Sequence, residues 1–110
     1  MIYRIDARIV APVNDTEVTD RVEDAVRNLF PDVEFEHVEG ELAGETHSLE
    51  QFSERLHDQE ILDTARREFF KHADEDGFRF SLKKQAAFKG VINFAVGNPD
   101  ELGDVEVAVT

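Results

Sequence analysis

The chain has 110 residues and no cysteine, and its 25 acidic and 12 basic residues give a net charge of −13. This length suits one domain with one hydrophobic core, and the lack of cysteine excludes disulfides, thiolate metal ligands and a cysteine nucleophile. No apolar run approaches the ~18 residues of a membrane span. The first ten residues also lack the basic head and apolar block of a signal peptide. The sequence therefore predicts a soluble, cytoplasmic protein with no membrane partner.

The acidity has two interpretations. The first is a surface built to repel nucleic acid or to bind cations. The second is halophilic adaptation, in which dense carboxylates keep an acidic protein soluble and molar salt screens their repulsion within about 3 Å. The sequence favours salt adaptation because the acids are spread along the whole chain and do not form one tail. Under that interpretation the net charge says little about binding partners.

The first half of the chain begins with alternating polar and apolar residues, which predict a half-buried strand over residues 2–11 that Pro12 ends. Asn14 and Glu17 have the spacing of residues that cap the start of a helix. Apolar residues then follow helical spacing as far as Pro31. A strand followed by an amphipathic helix is therefore predicted.

Further elements follow in the middle of the chain. Residues 33–37 alternate as a second strand, and residues 40–44 contain two glycines, which indicate a turn or an irregular strand extension. Apolar residues at helical spacing resume over 48–56, are interrupted by a polar stretch, and return on a shifted phase over 61–70. We expect two helices, or one sharply bent helix, that meet near Asp58.

Three alternating segments end the chain, over residues 78–83, 92–96 and 105–109. They predict a third, a fourth and a last strand, with the NPDELG sequence as a turn before the last. The predicted fold class is α+β, with a single mixed or antiparallel sheet of about five strands and three helices packed on one face. The predicted order is β-α-β-α-α-β-β-β in one domain, residues 1–110.

Residues 77–97 depart from the overall charge balance. This segment contains four basic residues and no acidic one, whereas acids are frequent elsewhere in the chain. Burial of a core hairpin is one explanation. It does not account for Lys83 beside Lys84, because adjacent residues on a strand cannot both point inward. The alternative is a site for phosphate, formed by Arg79, Lys83, Lys84 and Lys89.

Other residues could complete such a site. Arg4 and Arg8 line the polar face of the first strand and would extend the basic surface if the strands are neighbours. Gln85 and Asn93, with Ser81, offer hydrogen-bonding groups suited to sugars, phosphates or base edges. Phe88 is interpreted as a core residue, with a stacking surface for an unpaired base as the alternative.

The strings NLFPDVEFE (28–36), ILDTARREFF (61–70) and FSLKKQAAFKGVINF (80–94) resemble a family of small archaeal proteins described as RNA-binding. The most specific part is the KQAA, Gly and NF pattern, which consists of Lys84, Gln85, Ala86, Ala87, Gly90, Asn93 and Phe94. Lys83 departs from the pattern, since a polar Asn-like residue is expected there. The resemblance implies an α+β fold similar to that of the large-subunit ribosomal protein that binds 5S rRNA, and it implies RNA as the partner.

No catalytic apparatus is recognisable. The four histidines lack metal-ligand spacing, no nucleophile elbow or glycine-rich phosphate loop occurs, and neither a metal nor a cofactor is expected. The leading hypothesis is a non-enzymatic domain that binds structured RNA or ribonucleoprotein through residues 77–97. The alternative is that the same segment binds a protein partner or a second copy of the chain, as a homodimer, through a strand edge.

Overall fold

A computed structural model of the protein describes residues 5–38, 40–95 and 103–110. These residues form five strands: β1 (Ala7–Pro12), β2 (Glu34–Val38), β3 (Glu41–Thr46), β4 (Phe78–Lys83) and β5 (Asp104–Val109). Four helices accompany them: α1 (Thr19–Leu29), α2 (Glu50–Asp58), α3 (Leu62–Lys71) and α4 (Lys84–Phe88). No helix in these ranges is long and apolar enough to cross a membrane.

The strands form one sheet in the order β2-β3-β1-β5-β4. Each of the four pairings is antiparallel, so the predicted α+β class with a single five-stranded sheet is confirmed. Strand β1 lies at the centre, between β3 and β5. Consequently the N-terminal strand and the C-terminal strand are neighbours, and β4 lies two strands away from β1.

One face of the sheet is buried by helices. Alternate residues of the strands, including Ile9, Leu82 and Val107, point to this face and are almost fully buried. Phenylalanine rings link the sheet to the helices above it: the ring of Phe52 stacks between those of Phe30 and Phe80, with centroids 4.9 and 5.5 Å apart. Among the described residues, no helix covers the other face, which presents the polar residues of every strand.

The segment predicted as a turn or an irregular extension forms most of β3, so the observed order has a β2-β3 hairpin that the sequence did not predict. Two features hide this strand. Leu42, Ala43 and Gly44 are all buried, which removes the alternation of a half-buried strand. Gly44 lies in the middle of β3 because a Cβ there would meet Val33 Cγ2 at 2.7 Å, so the glycine marks close packing and does not mark a turn.

The predicted fourth strand differs from the observed structure. Residues after β4 first form helix α4, which the sequence analysis did not predict. The chain then returns along β4, where Leu82 and Phe94 form an isolated bridge. The Lys83 amide donates to the Asn93 carbonyl at 2.8 Å, and the Ala95 amide donates to the Ser81 carbonyl at 2.9 Å. This contact is strand-like but short, and Val96 and most of the predicted NPDELG turn lie outside the described residues.

Candidate nucleic-acid interface

The helix-free face of the sheet has an ordered arrangement of charges. Residues of neighbouring strands form rows across it, because paired residues of antiparallel strands point to the same face. The acids of β2 and β3 lie at one side of this face: Glu34, Glu36, Glu41 and Glu45. Arg79 and Lys83 lie on β4 at the other side, with Asp104 and Glu106 of β5 beside them. The cations are therefore concentrated along the β4 side of the face.

Arg79 and Lys83 occupy the same face of β4, as the sequence predicts. Arg79 is exposed and Lys83 is half-buried. Neither has an acidic group within ion-pair distance among the residues that the structure describes. Of the two acids of β5 on this face, Asp104 is the cross-strand neighbour of Lys83 but forms no ion pair with it. Glu106 accepts a hydrogen bond from the Ser81 hydroxyl at 2.7 Å. Both cations are therefore available to an external anion.

Arg8 lies in the same row as Arg79. Both residues are paired with Ala108 in the register, one from each side. The two arginines are therefore two strand spacings apart, about 10 Å, and only a small side chain lies between them. However, Arg8 is 3.6 Å from the Glu45 carboxylate, so its charge is partly compensated. The predicted participation of Arg4 lies outside the described residues.

Lys84 does not belong to the surface, and the prediction that it contacts phosphate is corrected. Its side chain is fully buried. The Lys84 Nζ group donates to the Pro12 carbonyl and to Glu17 Oε1, the latter at 2.7 Å. Of the two adjacent lysines, Lys83 points away from the core, as expected for one of two neighbours on a strand. Lys84 points into the protein because helix α4 begins at this residue.

The partner of Lys84 is a carboxylate held by several donors. Burial raises the pKa of Glu17, but the hydrogen bond and charge of Lys84 lower it, as do two hydrogen bonds from Asn14. The net effect is a lowered pKa, so the Glu17 carboxyl is ionised at neutral pH. The Asn14–Glu17 spacing, predicted to cap a helix, instead closes a turn before α1, with Asn14 N and Nδ2 donating to Glu17 Oε1 at 3.0 and 2.8 Å.

The remaining predicted residues lie around α4 and the loop that follows it. Gln85, Lys89 and Asn93 are all exposed, and Lys89 has no acidic partner in the described parts of the chain. Asn93 pairs with Lys83 at the edge of the sheet. Helix α2 holds this loop in place, because Arg55 donates to the Gly90 carbonyl at 2.8 Å and Gln59 forms two hydrogen bonds with the main chain of Ile92.

Phe88 is a surface residue and does not belong to the core, contrary to the interpretation favoured from the sequence. Its side chain is 37% exposed. It lines a groove of about 620 Å³ between α1 and α4, together with Val18, Arg21 and Asn28 among others. Asn28 fixes the two helices to each other, since its Nδ2 donates to the Ala87 carbonyl at 3.0 Å. The α1 side of this groove is not evident from the sequence, because the exposed residues of an amphipathic helix give no sign of which groove they line.

The predicted homodimer would use a strand edge of the sheet. The outer edge of β4 is occupied by residues 93–95 over Ser81–Lys83, so a second copy of the chain cannot pair there without displacing them.

Within the described ranges, no group of three or more His, Asp or Glu side chains is arranged to hold a metal ion.

The residues that carry the resemblance have mostly structural roles. Lys84, Ala87 and Phe94 are buried, and the Gly90 carbonyl accepts the hydrogen bond from Arg55. Within this pattern only Gln85 and Asn93 are well exposed. The pattern therefore indicates how α4 is held against α1 and α2 more than which atoms contact a ligand.

Comparison with known proteins agrees with the fold. A family model described as RNA binding matches residues 6–109. A UPF0200/UPF0201 protein of Archaeoglobus fulgidus is 41% identical over 95 residues, which cover 86% of this chain and 29% of the relative. A UPF0201 protein of Methanocaldococcus jannaschii is 39% identical over 93 residues, covering 80% and 55%. The chain thus spans less than two thirds of the length of either of these curated relatives.

A solved structure extends the likeness to three dimensions. The crystal structure of an uncharacterised UPF0201 protein is 38% identical and superimposes with a TM-score of 0.86, covering 94% of this chain and 80% of the other.

Proposed function

This chain belongs to the family of archaeal UPF0201 proteins whose model is described as RNA binding, and we propose that it is a cytoplasmic, non-enzymatic domain that binds structured RNA or ribonucleoprotein. The contacts proposed are to phosphates, from the exposed cations Arg79 and Lys89 and from the half-buried Lys83. Gln85 and Asn93 would add hydrogen bonds to sugars or base edges.

One observation carries this proposal. In a chain of net charge −13, residues 77–95 contain no acid, and three of their four cations reach the surface without an ion-pair partner in the described structure. Elsewhere on the same sheet face the cation Arg8 has an acidic partner. An acid-free segment in so acidic a chain is a local exception that the solvent does not explain, and phosphate is the anion that RNA presents along its whole length.

The number of cations sets the expected salt dependence. Three phosphate contacts give a slope of about −2 to −3 for the logarithm of affinity against the logarithm of salt concentration. Removing two of the three cations should lower the slope by about 2. The affinity should fall for all RNA sequences alike, because phosphate contacts fix position and orientation without reading sequence.

The test compares the double variant Arg79→Ala/Lys83→Ala with the wild type in a salt series, with a pool of labelled RNA hairpins and single strands. The matched control is Arg66→Ala/Lys71→Ala, which removes two exposed cations of α3 that also have no ion-pair partner in the described ranges. We expect the first variant to lose affinity and salt slope and the control to lose much less. Equal loss in both variants would mean that any cation serves and would sink the proposed site.

The alternative, a protein interface over the same residues, makes the opposite prediction. An apolar interface is maintained or strengthened as salt rises, whereas RNA affinity falls steeply. Absence of RNA binding, with a protein partner retained at high salt, would therefore favour the alternative.

A further inference from the structure

The groove between α1 and α4 lies next to Lys89, one of the proposed phosphate contacts. Helix α4 ends at Phe88, which lines the groove, and the exposed Lys89 follows directly in the chain. The other two cations, Arg79 and Lys83, lie on the helix-free face of the sheet. From this juxtaposition we propose that the groove is a subsite for one unpaired nucleotide of the bound RNA, with its base stacked on Phe88. This inference rests on the proposed function.

The groove has the size and the aromatic surface for a base. Its volume is about 620 Å³, within the range of small-molecule sites. Phe88, 37% exposed, lies at its wall, and Val18, 61% exposed, supplies further apolar surface. Unpaired RNA bases are bound in this way, because every base has a π face that can stack on an aromatic side chain.

The backbone on both sides of Phe88 is fixed by side-chain hydrogen bonds. Asn28 ties the last turn of α4 to α1, and Arg55 ties the Gly90 carbonyl to α2. Lys89, next to Phe88, is exposed and has no ion-pair partner in the described residues. A base on Phe88 would therefore place its own phosphate near Lys89 or near Arg21, which lines the groove and has no ion-pair partner in the part of the chain that the structure describes.

Hydrogen-bond acceptors dominate the rest of the lining. The Nδ2 group of Asn28 is used by the Ala87 carbonyl, and its Oδ1 accepts no hydrogen bond in the described structure. Glu17 and Asp24 contribute carboxylates, and Oε2 of Glu17 is buried with no hydrogen-bond partner. Acceptors select edges that present donors. An exocyclic amino group presents two N–H groups, whereas uracil presents a single N–H between two carbonyl oxygens, so bases with an exocyclic amino group should be preferred over uracil.

Stacking would also compensate for the weakness of phosphate contacts in concentrated salt. If the protein works in molar salt, charges are screened within about 3 Å, and three cations then attract RNA weakly. Stacking of one base increases the affinity by a factor of about 5 to 150. Salt does not screen this contribution, because the phenylalanine ring carries no net charge. The groove would therefore supply the part of the affinity that persists at high salt.

The experiment measures the binding of short single-stranded oligocytidylate and oligouridylate, which differ in the exocyclic amino group but are alike in size and charge. Phe88→Ala is compared with Phe70→Ala, a matched control on α3 whose ring is 80% exposed and lines no described groove. Arg21→Gln is compared with Arg66→Gln in the same way. Circular dichroism verifies that each variant is folded.

The inference predicts that Phe88→Ala loses about tenfold in affinity for oligocytidylate, at low and at high salt, whereas Phe70→Ala retains the wild-type affinity. The wild type should prefer oligocytidylate by about threefold or more, and this preference should vanish in Phe88→Ala. Wild-type binding that Phe88→Ala retains, while Arg79→Ala/Lys83→Ala loses it, would overturn the groove and leave the proposed function standing. Failure of the wild type to bind any RNA would overturn both.

Discussion

The substitution Lys84→Met removes one ion of the buried pair and keeps a side chain of similar length. Lys84 is fully buried, and its partner Glu17 is 8% exposed. In the variant the Glu17 carboxylate stays buried without its cation, and the Pro12 carbonyl loses its hydrogen bond. The fold should therefore lose stability through a stranded charge, although methionine still fills the space.

The magnitude follows from the contacts that remain. Breaking a buried ion pair by removing one partner typically costs about 3–5 kcal/mol. The lower end applies here, because Asn14 still donates two hydrogen bonds to the Glu17 carboxylate. A loss of about 3 kcal/mol corresponds to a decrease in melting temperature of roughly 12 °C for a domain of this size. The double variant Lys84→Met/Glu17→Gln removes the stranded charge and should recover a large part of the loss.

Urea denaturation followed by far-ultraviolet circular dichroism measures these free energies of unfolding, since the chain has no tryptophan to report by fluorescence. The series is run at low and at molar salt. A buried pair is screened little, so the loss should be similar in both conditions. A loss below about 1 kcal/mol, or one that molar salt abolishes, would refute the argument, because either result is typical of an exposed ion pair.

Two further predictions concern the pH dependence of stability and the space around two glycines. Because the pKa of Glu17 is lowered in the folded protein, its ionised form stabilises the fold above the ordinary value of about 4.3, and this contribution is lost as pH falls through the lower folded value. The stability difference between wild type and Glu17→Gln should therefore shrink from pH 7 to pH 3, and a constant difference would contradict the assignment. Gly77→Ala should cost about 2–4 kcal/mol, because its Cβ would lie 1.8 Å from the Val109 carbonyl oxygen at the β4-β5 pairing. Gly40→Ala, at φ +79° with nothing within 4 Å of the added Cβ, should cost about 1 kcal/mol, and equal losses in thermal denaturation would refute the steric argument.

The fold class could be predicted because a helix or strand with one buried side has a periodic pattern of apolar residues in its sequence. Strand β4 and the α2-α3 pair were predicted within one or two residues, since their apolar residues alternate or follow helical spacing. Strand β3 could be predicted only as one of two alternatives, a turn or an irregular strand extension, because Ala43 and Gly44 are buried on opposite faces. Helix α4 was missed because its five residues are too few to show a helical period between two strand-like segments.

The candidate site was predicted in part. A deficit of acids marks a region in the sequence, and Arg79 and Lys83 do share one face of β4. Charge alone cannot distinguish an exposed lysine from one whose ion-pair partner comes from a distant segment: Lys84 contacts Glu17, 67 positions away in the chain. The groove beside Phe88 depends on the packing of α1 against α4, which residue spacing does not reveal.

The most direct test of the central claim is crosslinking of RNA to the tagged protein in the cells that express it, followed by sequencing of the recovered RNA. The wild type is compared with Arg79→Ala/Lys83→Ala and with the α3 control Arg66→Ala/Lys71→Ala. We predict a defined set of RNAs that the wild type and the control recover and that the Arg79→Ala/Lys83→Ala variant loses. The same background from all three proteins would contradict RNA binding by the acid-free segment.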